Sequence, residues 1–215
     1  MPMKTVLCYG DSLTWGYDPS TGGGRHALED RWPTVLQKAL GERVHVITEG
    51  LNGRTTAFDD HLAGSDRNGA RVLPTILSSH APIDLVVIML GTNDMKSNIA
   101  GKAIFARKGM ERLVTIIRNH DYPGDAEVPD ILLVAPPVLK PTGNAIFAET
   151  FAGGAEASIE LANHYEELAD EVGCGFFDAG SVAEASPLDG VHLDAENTRR
   201  IGEALASGVR VMLEL

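Results

Sequence analysis

Acyl transfer needs a nucleophile, a base to take its proton, a group that orients the base, and donors for the oxyanion that develops. The sequence carries a candidate for each. Gly10-Asp11-Ser12-Leu13-Thr14-Trp15-Gly16 presents a serine hydroxyl directly after a short apolar run. Asp189-Gly190-Val191-His192 presents an imidazole with a carboxylate three residues earlier. On a tight turn that spacing puts the carboxylate against Nδ1 and leaves Nε2 free for Ser12. Gly53 can bring a backbone N–H close to a substrate because it has no Cβ. Asn93 offers a side-chain amide, and the N–H of Ser12 completes a three-donor oxyanion hole. Each residue also has a plain reading: Gly-Asp-Ser as turn chemistry, Gly53 as a turn glycine, Asn93 as a helix N-cap, His192 as a cap of the last helix. Their complementary chemistry favours the functional one. His26, His45, His61, His80, His120 and His164 lack such a setting and read as surface or structural residues. Asp11 and Asp94 border the site and are expected to brace its loops through backbone N–H groups. With them, Trp15, Lys96, Phe147, Phe151 and Val191 are the candidates for contact with substrate, the aromatics being equally readable as core.

These clusters act together only if the fold gathers them. Thr5–Tyr9 reads as a buried first strand, Val44–Ile47 as a second and Leu85–Leu90 as a third, with Ile131–Ala135 and a short Phe176–Asp178 following. Helices are expected from Asp30 or Arg31 to Leu40 with Pro33 in the first turn, over 70–79, over 102–119 with Ile104, Phe105, Leu113, Val114, Ile116 and Ile117 inward, over 154–172, and over 195–213. Residues 17–30 and 138–152 read as loops, the second carrying more apolar residues than a solvated loop needs. Strands alternating with helices, and apolar on both faces, imply a parallel five-stranded sheet between helix layers, a doubly wound three-layer α/β/α sandwich. Ligands of such sheets bind beyond the carboxyl ends of the strands. Ser12, Gly53, Asn93 and the Asp189–His192 segment each follow a strand, so all four fall on one rim.

The chain has 215 residues, 44% of them hydrophobic, enough for one domain, 1–215, with one good core. A formal net charge of -12 argues against nucleic acid or an anionic membrane as partner. No run approaches the length of a membrane span, and the N-terminal apolar run is too short for a signal peptide. Cys8 and Cys174 are expected to be buried free thiols, which fits a cytoplasmic protein.

Taken together, Gly10-Asp11-Ser12-Leu13, a glycine after the second strand, Gly91-x-Asn93-Asp94 and Asp189-x-x-His192 resemble the four blocks of the SGNH (GDSL) hydrolases, over nearly the whole chain. The wider wording Gly-Asp-Ser-Leu-Thr-Trp-Gly, Glu-Gly-Leu-x-x-Arg-Thr-Thr and Met-Leu-Gly-Thr-Asn-Asp-x-Lys resembles the arylesterase/acyltransferase-like branch. The resemblance implies a flavodoxin-like SGNH fold, Ser12, Asp189 and His192 as triad, and Ser12, Gly53 and Asn93 as oxyanion donors. It also implies cleavage of short acyl esters such as aryl or sugar acetates through an acyl-enzyme, acyl transfer to alcohols, homo-oligomers, and no cofactor. One rival is a metal-dependent phosphoesterase with Asp11, Asp94, Asp189, His192 and Asp194 as hard ligands. A flavin or nucleotide module is a second, opposed by the bulky Leu13 and Trp15 where a phosphate loop needs small residues. An α/β-hydrolase is set aside because Thr14 occupies the second glycine position of its Gly-x-Ser-x-Gly elbow.

Overall fold

The computed structural model describes residues 3–124 and 126–215. The chain runs β1 (Lys4–Gly10), α1 (Ser12–Trp15), a two-stranded hairpin of β2 (Tyr17–Asp18) and β3 (Gly24–Arg25), then α2 (Trp32–Leu40), β4 (Val44–Gly50), α3 (Gly69–His80) and β5 (Leu85–Met89). It continues through α4 (Ala103–Arg118), β6 (Asp130–Ala135), α5 (Ala145–Thr150), α6 (Gly154–Ser158), α7 (Leu161–Val172), β7 (Gly175–Asp178) and α8 (Ala195–Met212). The strands of the main sheet lie in the order β4-β1-β5-β6-β7, every neighbouring pair parallel. In chain order this is 2-1-3-4-5, the flavodoxin-like doubly wound arrangement, whose switch point falls between β1 and β5.

Alternation along the strands divides the core in two. Val86 and Ile88 of β5 face a layer built by Leu73 and Leu77 of α3, Met110 and Leu113 of α4 and Tyr165 and Leu168 of α7. Leu85, Val87 and Met89 face Trp32 and Leu36 of α2 and Ile201, Leu205 and Val209 of α8. Full burial of each such large side chain contributes about 1.5–3 kcal/mol, and both faces are covered.

Several expectations need correction. Within α4, Ile104 and Phe105 are 38% and 42% exposed, not inward, and Ala103, Ala106, Met110, Leu113, Val114 and Ile117 face the core. A Cβ on Gly109 would sit 1.9 Å from Thr56 Oγ1, so the first turns approach the loop after β4 too closely for large residues. The helix expected over 154–172 is two helices, broken at Ile159-Glu160. There Ser158 Oγ donates to the Ala155 carbonyl and accepts the N–H of Leu139, competing with helical bonding. Within 138–152, Leu139 belongs to the core and Phe147 and Phe151 pack against it around α5, which Asn144 caps, while Ile146 is exposed; 17–30 holds the hairpin and a 3₁₀ turn, Leu28–Asp30. Cys8 is buried and free, whereas Cys174, also free, is only half-buried just before β7.

The rim is shaped by close approach. Gly10 and Gly50 are register partners at the carboxyl ends of β1 and β4. A Cβ on Gly50 would lie 2.3 Å from the backbone nitrogen of Trp15, and one on Gly10 would lie 2.9 Å from the Met89 carbonyl. The missing Cβ atoms let α1 turn directly over the strand ends, which is where Ser12 sits. Gly50→Ala is expected to lower stability by about 1–3 kcal/mol, since backbone must yield. Urea denaturation with an unchanged m-value checks it, and an unaltered midpoint would contradict this account.

Candidate active site

Ser12 opens α1, and Asp11 caps that helix by accepting the N–H of Leu13 at 2.9 Å. The N–H of Ser12 stands among the first helical N–H groups, which have no intrahelical acceptor. The segment 189–192 forms a tight turn after the 3₁₀ helix that follows β7. Asp189 Oδ1 accepts the N–H of both Val191 and His192 at 2.9 Å, which orients its other oxygen. Asp189 Oδ2 lies 2.7 Å from His192 Nδ1, and His192 Nε2 lies 2.9 Å from Ser12 Oγ. All three residues are buried. Burial pushes the Asp189 carboxyl up, but the bonds from the His192 ring, the His192 N–H and the Val191 N–H outweigh it and hold the pKa below the ordinary value.

Gly53 follows β4 with φ +81°, a left-handed turn conformation that favours glycine. Asn93 starts the turn after β5, and its Nδ2 donates to Asp11 Oδ2 at 3.2 Å and to the Arg54 carbonyl at 3.1 Å. Arg54 itself is buried: Nη1 donates to the carbonyls of Gly10 (2.9 Å) and Glu49, and its guanidinium lies 4.1 Å over the Tyr9 ring. Arg54 thus ties the ends of β1 and β4 to the Asn93 turn. Asp94 ties the same turn to Thr56, accepting that residue's N–H at 3.1 Å and its hydroxyl. Burial raises the Asp11 pKa to about 6 and that of Asp94 to about 7.

A cavity of ≈ 250 Å³ opens over Ser12. Of the residues expected to touch substrate, Lys96, Phe147, Phe151 and Val191 line it, together with Gly53 and Asn93. Trp15 does not: it lies to the side, its ring under the Arg25 guanidinium at 4.8 Å. Asp11 and Asp94 are fully buried behind the rim and do not line the cavity. Tyr17, Asn52, Ile146 and Thr150 line it without having been anticipated. Tyr17 stacks on the His192 ring with centroids 3.9 Å apart and planes at 24°, and Phe147 meets the same ring edge-on. Asn52 could have been suspected as the neighbour of Gly53. Tyr17 could not, because only the hairpin brings it to His192. That hairpin is pinned beside the site by His26, whose Nε2 lies 2.9 Å from the Leu193 carbonyl.

The five hard ligands of the metal reading do not converge. Asp194 caps α8, and among the described residues no three His, Cys, Asp or Glu side chains are grouped as a metal ion requires. A serine hydroxyl, imidazole and carboxylate in line at the carboxyl rim of a flavodoxin-like sheet define instead a serine hydrolase of the SGNH type.

Comparison with known proteins agrees. The model of the GDSL-like lipase/acylhydrolase family matches residues 8–199, and the chain belongs to that family. A carbohydrate acetylesterase family member from Sinorhizobium meliloti is 67% identical, with a TM-score of 0.97 over 99% of this chain and 100% of that one. The native aryl esterase of M. smegmatis is 42% identical, with a TM-score of 0.92 over 97% and 99%. Est24, a carbohydrate acetylesterase from Sinorhizobium meliloti, is 41% identical, with a TM-score of 0.92 over the same shares. No curated protein matches the chain. The protein is a carboxylic ester hydrolase, and no helix among its described residues is long and apolar enough to cross a membrane.

The two buried carboxyls have a consequence for stability. Both hold their protons to higher pH in the folded chain than in the unfolded one, where an aspartate titrates near ~3.9. The folded state therefore binds more protons between those values, and the contribution, complete below about pH 4, is lost as pH rises through about 6 and 7. The melting temperature is expected to fall between pH 5 and pH 8, and Asp94→Asn should flatten the upper part of that fall. A wild-type melting temperature that climbs over this range would contradict it.

Proposed function

We propose that this chain, acting as one domain, cleaves acetyl and other short acyl esters, with Ser12 as nucleophile, His192 as general base and then acid, and Asp189 as the group that orients it. The carrying observation is the continuous chain of bonds from Asp189 through His192 to Ser12, at 2.7 and 2.9 Å. His192 takes the Ser12 proton as the hydroxyl attacks the ester carbonyl. The oxyanion is held by the N–H groups of Ser12 and Gly53 and by Asn93, which turns one of its two N–H bonds away from Asp11 or the Arg54 carbonyl. His192 then gives its proton to the leaving alcohol, and water resolves the acyl-enzyme. Two relatives of this fold described as carbohydrate acetylesterases, and one as an aryl esterase, support acetate as the acyl group.

Acyl transfer belongs to the same reading. Tyr17, Ile146, Phe147, Phe151 and Val191 make much of the cavity apolar, so an alcohol competes well with water for the acyl-enzyme. The two free cysteines fit a cytoplasmic setting. Assembly into a homo-oligomer would cover Ile146, which is 76% exposed at the cavity mouth.

Ser12→Ala is expected to abolish both 4-nitrophenyl acetate hydrolysis and labelling by a fluorophosphonate. Asn93→Ala should lose about 10²–10³ in kcat, the usual effect of removing one oxyanion donor. Wild-type turnover should survive EDTA; labelling of Ser12→Ala, or loss of wild-type activity on chelation, would overturn the mechanism. Added ethanol should divert part of the acyl group to ethyl acetate, read by gas chromatography.

A further inference from the structure

The imidazole of His192 is engaged on its face as well as its edge. Nδ1 meets Asp189 and Nε2 meets Ser12, which uses the edge. Against the face lies Tyr17, with ring centroids 3.9 Å apart and planes at 24°. Phe147 stands at 83° to the same imidazole, 5.7 Å away, and so makes no second stack.

Tyr17 is held in place from both sides of the Ser12–His192 bond. It pairs with Arg25 across the hairpin, and His26, the next residue, ties that hairpin down twice. The His26 N–H donates at 2.8 Å to the carbonyl of Gly16, the cap of the helix that carries Ser12. His26 Nε2 lies 2.9 Å from the carbonyl of Leu193, the residue after His192. A hairpin of two residues per strand has little stability of its own, so these bonds set where the Tyr17 ring sits. The hydroxyl plays no part in the stack: it ends beside Gly23, where a Cβ would lie 4.0 Å from it. Burial, and then the Asp189 charge, raise its pKa above the ordinary tyrosine value, which keeps the ring neutral at the pH of the reaction.

What a neutral aromatic face does for an imidazole depends on the charge of that imidazole. Against the neutral ring it supplies dispersion and shape. Once Nε2 has taken the Ser12 proton, the imidazolium also meets the negative face of the Tyr17 quadrupole, an attraction that strengthens where water is excluded. His192 is only 6% exposed. An interaction that grows as the charge develops lowers the barrier itself and does more than bind the ester. Resting on the triad proposed above, we infer that Tyr17 is a positioning residue of the reaction, whose ring aligns the imidazole with Ser12 and Asp189 and stabilises the imidazolium. The other charged or titratable groups around His192 are Asp189 on its own turn, Asp11 behind Ser12, the Asp18–His26 pair on the hairpin and Lys96 across the cavity. From α5 it meets the uncharged Phe147. A substitution at Tyr17 leaves each of these in place.

The test separates ring, hydroxyl and bulk. Tyr17→Leu keeps apolar bulk over the imidazole, so water stays out and only the π-face is lost. Tyr17→Phe keeps the face and removes the hydroxyl. Hydrolysis of 4-nitrophenyl acetate by each variant and by wild type is followed across the pH range of activity. In Tyr17→Leu, kcat is expected to fall about three- to tenfold, with a smaller change in KM. The acid limb of its kcat/KM profile should move to lower pH by about half to one unit, because a less stable imidazolium forms only at lower pH. Tyr17→Phe should stay within about twofold of wild type, with its acid limb unmoved. Tyr17→Met, a second apolar replacement, carries the same expectation as Tyr17→Leu should the latter fail to fold. An acid limb that coincides with wild type in the apolar variant overturns the inference and leaves Tyr17 as packing. So does a Tyr17→Phe enzyme as slow as the apolar variant, or a loss that lies wholly in KM, as a mere wall of the cavity would give. A wild type inert to the ester and to fluorophosphonate fails at the triad itself and takes the inference with it, so the two failures are told apart.

Discussion

The bond between Ser12 and His192 joins residues 180 positions apart, and no local element holds it. It exists because the parallel sheet delivers the end of β1 and the turn after β7 to the same rim, and because each side chain is then fixed by its own short-range contacts. Asp11 caps the four-residue helix that carries Ser12. Asp189 pins its own turn through two backbone N–H groups before it meets the imidazole, and Tyr17 lies flat against the other surface of that ring. Slack in any of these supports would appear as a longer Ser12–His192 distance.

Beneath the rim lies a second layer of buried polar groups that reaches the cavity at Asn93. Asp11, Arg54, Thr56, Asn93 and Asp94 are buried and bond mainly to one another and to backbone. The arrangement joins the loops after β1, β4 and β5 into one body, so the candidate oxyanion donors are carried by a braced frame. Its cost is carried by the two carboxyls, whose proton affinities rise with burial. The apolar wall of Tyr17, Phe147 and Phe151 stands on less constrained elements, a two-stranded hairpin and a six-residue helix. Ser12, Gly53 and Asn93 thus sit at the ends of the sheet strands, while the apolar wall of the cavity sits on peripheral segments.

Much of this was legible from residue pattern. The strands, their parallel pairing and the common rim follow from apolar runs alternating with amphipathic segments, and the positions of Ser12, Gly53, Asn93 and Asp189–His192 follow from where those runs end. Pattern failed where packing overrode it. The first turns of α4 present only Ala103, Ala106 and Gly109 inward, because Gly109 nearly touches Thr56, so Ile104 and Phe105, the most hydrophobic residues of its first turn, point outward. The break between α6 and α7 depends on a serine bonding to Leu139, a contact outside the helix itself. Trp15, beside the serine in sequence, lies away from the cavity, while Tyr17, two residues on, stacks on the imidazole.

Residue order alone determined the type of fold, the rim that bears the site and the identity of the polar groups there, because hydrophobic periodicity and strand termini are local properties of the chain. Tertiary structure decided which of those groups meet, which carboxyls lie buried behind the rim and which residues wall the cavity. Those outcomes depend on close approaches between distant segments, such as a backbone passing a glycine that lacks a Cβ, and no local pattern encodes such distances.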